Sequence, residues 1–388
     1  MNIAAMATVC FATTSCSSGE DPILNGGNDE TTGTEIILAF NDGGDTQTRS
    51  ARPVYSSEAN NNVNEVKLAL FVKSGDNWIE ASEVKFISND VELTNGLLGW
   101  EPATEAGVKG DNKAGRDVTK QLTLKGLAKN SIYHIVAYGY DNENTETDIS
   151  ANGQIFTATP IEGKDVEEIF AGTTEFTTDA NGKISKATKV TMKRQVAGFL
   201  GYFKNIPTTV EGTTVKGVRV IASASAPSYT FGGGGCTEDQ NQTGTKAGNV
   251  TIFDREIPTT ATEKDGHYEF QQETKGVYVA PNSLLSGKFL IAFAAQTDTP
   301  TFVVQLYDAA GKTLRHWNVK NGNTNTYNVN RNQFYMIGKK YTNNGGKDPE
   351  DPEPDPKNPD EPIDLSENSE IELILNDAWD VIYNLTLE

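Results

Sequence analysis

Short runs that alternate apolar with polar residues recur along this chain, and turn chemistry ends each one at strand length. They include 64–73 (NEVKLALFVK), 118–127, 131–140 (SIYHIVAYGY), 186–194, 217–225 (GVRVIASAS), 249–254, 287–296 and 301–308 (TFVVQLYD). Between them, DANGK at 179–183 and KDGH at 264–267 carry the Asn-Gly and Asp-Gly pairs that favour tight hairpins, and DAAGKT at 308–313 joins two strands through a Gly-containing loop. One segment reads as a helix. In KDVEEIFAG (164–172), Val166, Ile169 and Phe170 fall on one face and Gly172 stands ready as a stop. Many short strands with frequent turns imply an all-β chain of sandwiches. At 388 residues there is room for two.

Composition narrows the function. The formal charge is −20, from 53 acidic and 33 basic side chains, and no basic stripe is available for phosphates, which argues against nucleic acid. Beyond the N-terminus no apolar run approaches a membrane span, so the chain reads as globular. His134, His267 and His316 are scattered, each within a strand-like stretch and without metal-ligand spacing, so no metal or cofactor is expected. The GKT at 311–313 lacks the first glycine of a phosphate loop, where Leu306 stands instead. DANG at 179–182 lacks the later carboxylates of a calcium loop. No nucleophile–base arrangement appears, so the chain is not expected to be an enzyme, and a secreted hydrolase would have no defensible nucleophile or acid pair.

Both termini depart from the strand pattern. MNIAAMATVCFATTSC is apolar, with small residues leading to Cys16, in the manner of a lipoprotein signal, although no Lys or Arg precedes it. A polar tether comes next, then EIILAF (35–40), a strand with Ile36, Leu38 and Phe40 on one face. Directly after it, GGDTQTRSARPVY (43–55) is loop chemistry holding Arg49 and Arg52, the only basic residues in the first 66. Cys10 would leave with the signal and Cys16 would be lipidated, so Cys236 stays an unpaired loop thiol after FGGGG. At the other end, six prolines lie between 349 and 362, and eight acids with one base, Lys357, lie between 348 and 364. That composition makes a stiff, extended stem. In the last stretch, Trp379, Val381, Tyr383, Leu385 and Leu387 alternate with Asp380, Asn384, Thr386 and Glu388, with Ile382 as the exception. An amphipathic strand of that kind is costly to leave unpaired. Because the stem sets it beyond the sandwiches, residues 366–388 are expected to be dispensable for folding.

The two ends answer each other. A cut between Arg49 and Ser50 would free the first strand and open a groove, which the terminal strand of a neighbouring copy fills by β-strand addition. Repeated head to tail, that contact does not close and makes a filament.

In the order of these features the chain resembles the Bacteroidales-type fimbrillins, or type V pilins. The features are Cys16, the Arg49 loop, VEEIFAG (166–172), MKRQVAGFLGYFKNIP (192–207), NRNQFYMIGKK (330–340) and the Pro-rich arm. The resemblance implies two transthyretin-like or Ig-like sandwiches, export as an outer-membrane lipoprotein, trimming after Arg49 by an extracellular Arg-specific protease, and assembly with other copies and related pilins into a cell-surface fimbrium. The layout expected is 1–16 signal, 17–49 tether and removable strand, 50–178 and 179–344 sandwiches, and 345–388 arm and donor strand. Arg52 is the poorer cleavage candidate because Pro53 comes directly after it. A chain with both a cleavable strand and a donor arm suits a stalk subunit; its surface receptor is not readable. The rival expectation is a glycan-binding surface lipoprotein that stacks sugars on Trp78, Trp100 or Trp317. That reading leaves Arg49 and the terminal strand without a purpose.

Overall fold

The computed structural model describes residues 34–42, 65–99, 116–140, 146–184, 188–233, 245–272, 278–340, 359–366 and 370–376, with 34–42, 116–120 and 375–376 described by backbone alone. These residues are all-β apart from a single turn of 3-10 helix at Thr94–Gly96. The main strands are β1 (Thr34–Asp42), β2 (Glu65–Ser74), β3 (Arg116–Lys125), β4 (Ile132–Tyr140), β5 (Phe170–Thr177), β6 (Thr188–Thr191) and β7 (Ala197–Lys204). They continue with β8 (Gly217–Ser225), β9 (Ser283–Leu290), β10 (Phe302–Tyr307), β11 (Thr313–Lys320), β12 (Phe334–Ile337), β13 (Ile371–Glu372) and β14 (Ile374–Asn376).

The first sandwich packs the sheet ordered β6-β1-β3, extended by the short strands 85–88 and 91–92, against the sheet built around β5-β4-β2. Val66, Leu68 and Leu70 of β2 and Leu122 and Leu124 of β3 are all nearly inaccessible and share this core. The second sandwich packs β9-β7-β12-β14 against the sheet 246–256, β8, β10, β11, β13, with Val218, Val220, Val304, Leu306 and Trp317 inside. The β7 strand shows no polar alternation because both of its faces are covered. Leu200 and Tyr202 belong to the first core and Phe199 and Phe203 to the second. The sheet around β7 is thus a wall common to both cores. All described residues fall within one compact unit, Thr32–Leu385.

The hairpin chemistry behaves as expected. Asp265 and Gly266 take φ of 51° and 81° between the paired strands 262–264 and 267–269, which is the geometry that Asp-Gly accepts most readily. The 308–313 loop closes through Asp308, whose Oδ1 accepts from the backbone N–H groups of Ala310 and Lys312. It is a turn between β10 and β11.

Two expectations fail. Residues 164–172 form no helix. The chain enters β5 at Phe170, and Ile169, Phe170 and Ala171 are all fully buried. Three successive buried residues need cover on every side, which a one-faced surface helix does not give. Gly172 is not a helix stop either. A Cβ there would lie 2.1 Å from the carbonyl oxygen of Thr191, so the glycine lets β6 lie directly against β5. The second failure concerns the C-terminal arm. Its first half belongs to its own subunit. Ile363–Asp364 pairs with β7, β13 runs parallel to β11, and β14 runs antiparallel to β12. Leu365, Ile371 and Leu373 are buried in the second core. Deleting 366–388 would therefore remove structural residues. Of the terminal strand, residues 377–388 lie outside the described residues.

Strands beyond residue 178 also pair with strands before it. The β6 strand joins β1, 193–194 joins β5, and 229–232 joins 155–160. At this crossing the motifs 166–172, 192–207 and 330–340 meet. Glu168 and Arg194, both fully buried, form an ion pair at 2.5 Å, with the guanidinium 4.9 Å from the Phe170 ring centre. Gln195 accepts from Arg331 at 2.9 Å and donates to the Lys193 carbonyl at 2.8 Å.

Candidate strand-exchange site

The position of β1 is defined by its ladders. It runs antiparallel to β3 through all nine residues, Thr34 opposite Leu124 to Asp42 opposite Arg116. On its other side it runs parallel to β6, with Ile36 opposite Thr188 and Leu38 opposite Val190. Residues at the same register position share a face of the sheet. Ile36 stands opposite Leu122, which is 1% exposed, and Leu38 opposite Val190, which is 0% exposed. By period-2 alternation Phe40 takes the same register parity as Ile36 and Leu38. Ile37 stands opposite exposed Gln121, on the outer side.

The strand is interior. Taking it out leaves β3 and β6 with facing rows of unpaired backbone groups, about one donor and one acceptor per alternate residue on each side. A segment that refills the slot in the same way must run antiparallel to β3 and parallel to β6, with apolar residues at every second position. The slot thus specifies a direction as well as a pattern.

The remaining sequence-predicted site residues, Cys16, Arg49, Ser50, Trp379, Val381, Tyr383, Leu385 and Leu387, lie outside the described residues. The structure does show a related segment. Residues 34–42 read TEIILAFND and residues 369–377 read SEIELILND, identical at five of nine positions. Both combine a parallel with an antiparallel partner: β1 lies between β6 and β3, while the later segment pairs with β11 through β13 and with β12 through β14. This short internal likeness was available in the sequence. Within 369–377, the described residues 370–376 pair with their own subunit through β13 and β14.

Around His134 the arrangement is structural. The imidazole is 1% exposed, 5.4 Å from the Trp78 ring, and its Nδ1 lies 3.7 Å from the Glu175 carboxylate. Burial lowers its pKa from the ordinary value, and Glu175 opposes this only in part. Trp317 is buried in the second core, with Arg315 at 6.0 Å from its ring, and Trp78 is half-buried beneath Lys73. Trp100 lies outside the described residues.

No family profile matches the chain, and no curated protein sequence matches it. Among solved structures it is similar to a candidate cell adhesion protein from Bacteroides ovatus, at 9% identity and a TM-score of 0.38, covering 89% of this chain and 96% of that one. It is similar to the fimbrial anchor protein Mfa2 from Porphyromonas gingivalis, at 11% identity and a TM-score of 0.34, covering 78% and 90%. A fimbrial assembly protein from Parabacteroides distasonis is similar at 11% identity and a TM-score of 0.33, covering 90% and 97%. None of these likenesses assigns the chain to a family.

Proposed function

We propose that this chain is a structural subunit of a surface fimbrium, with β1 as a removable strand. It is exported as a lipoprotein through Cys16, cut between Arg49 and Ser50 by an Arg-specific protease, and joined to the next copy by strand exchange. The observation that carries the reading is the interior place of β1. Its ladders to β3 and β6 hold it on both sides, while the sequence beside it, 43–55, offers a basic cleavage point. Separated from the chain, β1 keeps only non-covalent hold on the sheet. A strand tethered to another copy can then compete for the slot.

The donor is the terminal strand 379–387. Its root, 359–366 and 370–376, pairs with its own subunit, which gives each copy a fixed point from which the last residues reach outward. The likeness between 34–42 and 369–377 supports the slot's acceptance of C-terminal sequence of this type. Because the contact is head to tail, it propagates instead of closing. A stalk position suits a chain with both slot and donor.

Limited trypsin treatment tests the proposal. The trimmed product should begin at Ser50 and carry a net charge of −14 in place of −20, since seven acids and one arginine leave with residues 1–49. It should then form a ladder of multimers on gels. A product that starts elsewhere, or one that starts at Ser50 and never multimerises, would refute the reading.

A further inference from the structure

Lys340 and Asp360 form a buried pair that the strand-exchange reading does not use. Lys340 ends one described stretch and Asp360 lies at the start of the next. Beside them, Lys339 and Glu361 bond backbone to backbone in both directions, at 2.9 and 2.8 Å, so the two side chains start from neighbouring, fixed points. The Lys340 Nζ lies 3.1 Å from Asp360 Oδ1 and 3.0 Å from Oδ2. The two side chains are 1% and 8% exposed.

Around the pair the groups are aimed. The Tyr202 hydroxyl donates to Asp360 Oδ2 at 2.9 Å and accepts from the Ala280 N–H at 2.8 Å, which directs its proton toward the carboxylate. Tyr202 is itself fully buried, and the Tyr278 ring centre lies 5.5 Å from Lys340 Nζ. Burial lowers the ammonium pKa, with Asp360 opposing, so the neutral amine is more accessible than on an exposed lysine. An amine held against a carboxyl group in a buried site, with a hydroxyl on one carboxyl oxygen, brings together the groups that amide formation uses.

We propose that Lys340 and Asp360 condense into an intramolecular isopeptide bond. The ammonium first passes one proton to Asp360 Oδ1, leaving a neutral amine and a neutral carboxyl group. The Nζ lone pair then attacks Cγ, and the charge that develops on Oδ2 is met by the Tyr202 hydroxyl. A second proton moves from nitrogen to Oδ1, the Cγ–Oδ1 bond breaks, and one water leaves. The sum is ammonium plus carboxylate giving amide plus water, with no oxidant, metal or co-reactant. Two buried charges disappear, which removes the desolvation cost that an ion pair carries. The ring so closed contains 341–359, and tension along the chain passes from Lys340 to Asp360 without drawing that stretch out. The inference stands whether or not the chain polymerises.

Peptide mass spectrometry of the purified full chain tests it. Trypsin should release 340–347 joined to 358–388, lighter than the two separate peptides by one water. Lys340→Arg and Asp360→Ala should each restore the full mass. Tyr202→Phe, tracked from the moment of refolding, should form the bond about 10²-fold more slowly, the usual loss for one missing oxyanion donor. Folded wild-type protein that yields free 341–347 and keeps its full mass overturns the proposal. So does a water loss that maps elsewhere, for example to Asp265-Gly266, or one that survives in Lys340→Arg.

Discussion

Two truncations that differ by only eleven residues should behave very differently. A chain ending at Asn376 keeps β13 and β14, while a chain ending at Leu365 loses both. The loss can be sized from burial. Ile371 is 1% exposed and Leu373 is 6% exposed, and each such side chain is worth about 1.5–3 kcal/mol. Together they contribute about 3–6 kcal/mol, before counting the ladders from Ile374 to Met336 and from Ile371 to Val319. Their removal also bares the apolar side chains they covered in the second core. Against a total stability of about 5–15 kcal/mol, that is a large share. At about 2–4 °C per kcal/mol for a large domain, the shorter chain should melt about 6–24 °C below the longer one. Circular dichroism melts of both, beside the full chain, read this directly. The chain ending at Asn376 should melt with the full chain. If both truncations melt together, the cis docking of 371–376 contributes nothing and the assignment of β13 and β14 is wrong.

Single residues give further tests. Arg49→Ala should give a precursor that trypsin does not trim at that point and that stays unpolymerised; laddering equal to wild type would remove the cleavage step. Gly172→Ala should cost about 1–3 kcal/mol, or prevent folding, because its Cβ meets the backbone of β6 at 2.1 Å; an unchanged urea midpoint would show that β6 does not lie against β5. Burial lowers the pKa of His134, with Glu175 opposing, so its folded pKa lies below its unfolded value of about 6.5. Stability is then complete above that value and falls as pH drops below it, because the unfolded chain takes up the proton more readily. Urea titrations at pH 7.5 and 5.5 should show that loss, and His134→Phe should reduce it; equal slopes in both proteins would assign it to other groups.

Much of this fold is legible in the sequence where local chemistry and tertiary need agree. The strands at 65–74 and 217–225 show their apolar pattern, and Asp265-Gly266 declares its hairpin because few other pairs accept two positive φ values. The reading fails where residues answer to more than one surface. Val166, Ile169 and Phe170 satisfy helical spacing, yet 169–171 is buried from every side, and only the packed partners decide between the two. Residues 197–204 hide their period because each face of β7 meets a different core. At the C-terminus the clean alternation of 379–387 overshadows 369–377, whose likeness to β1 is the more informative signal. The strand at 35–40 was legible as a strand, and the backbone of 34–42 pairs on both sides. Its interior position was not, because β3 and β6 come from about 80 and 150 residues further along, and no local pattern records that pairing. Asp360 reads as one acid among eight in the stem; only the fold brings Lys340 and Tyr202 to it.

The central claim is that losing β1 opens a slot that another copy's terminal strand fills. Negative-stain electron microscopy of the chain trimmed to Ser50, beside the same trimmed chain ending at Asn376, tests it most directly. Filaments are expected from the first, and folded monomers from the second, which keeps β13 and β14 paired on its own subunit but has no terminal strand to give. Filaments from both, or monomers from both while far-UV spectra show intact sheets, would contradict it.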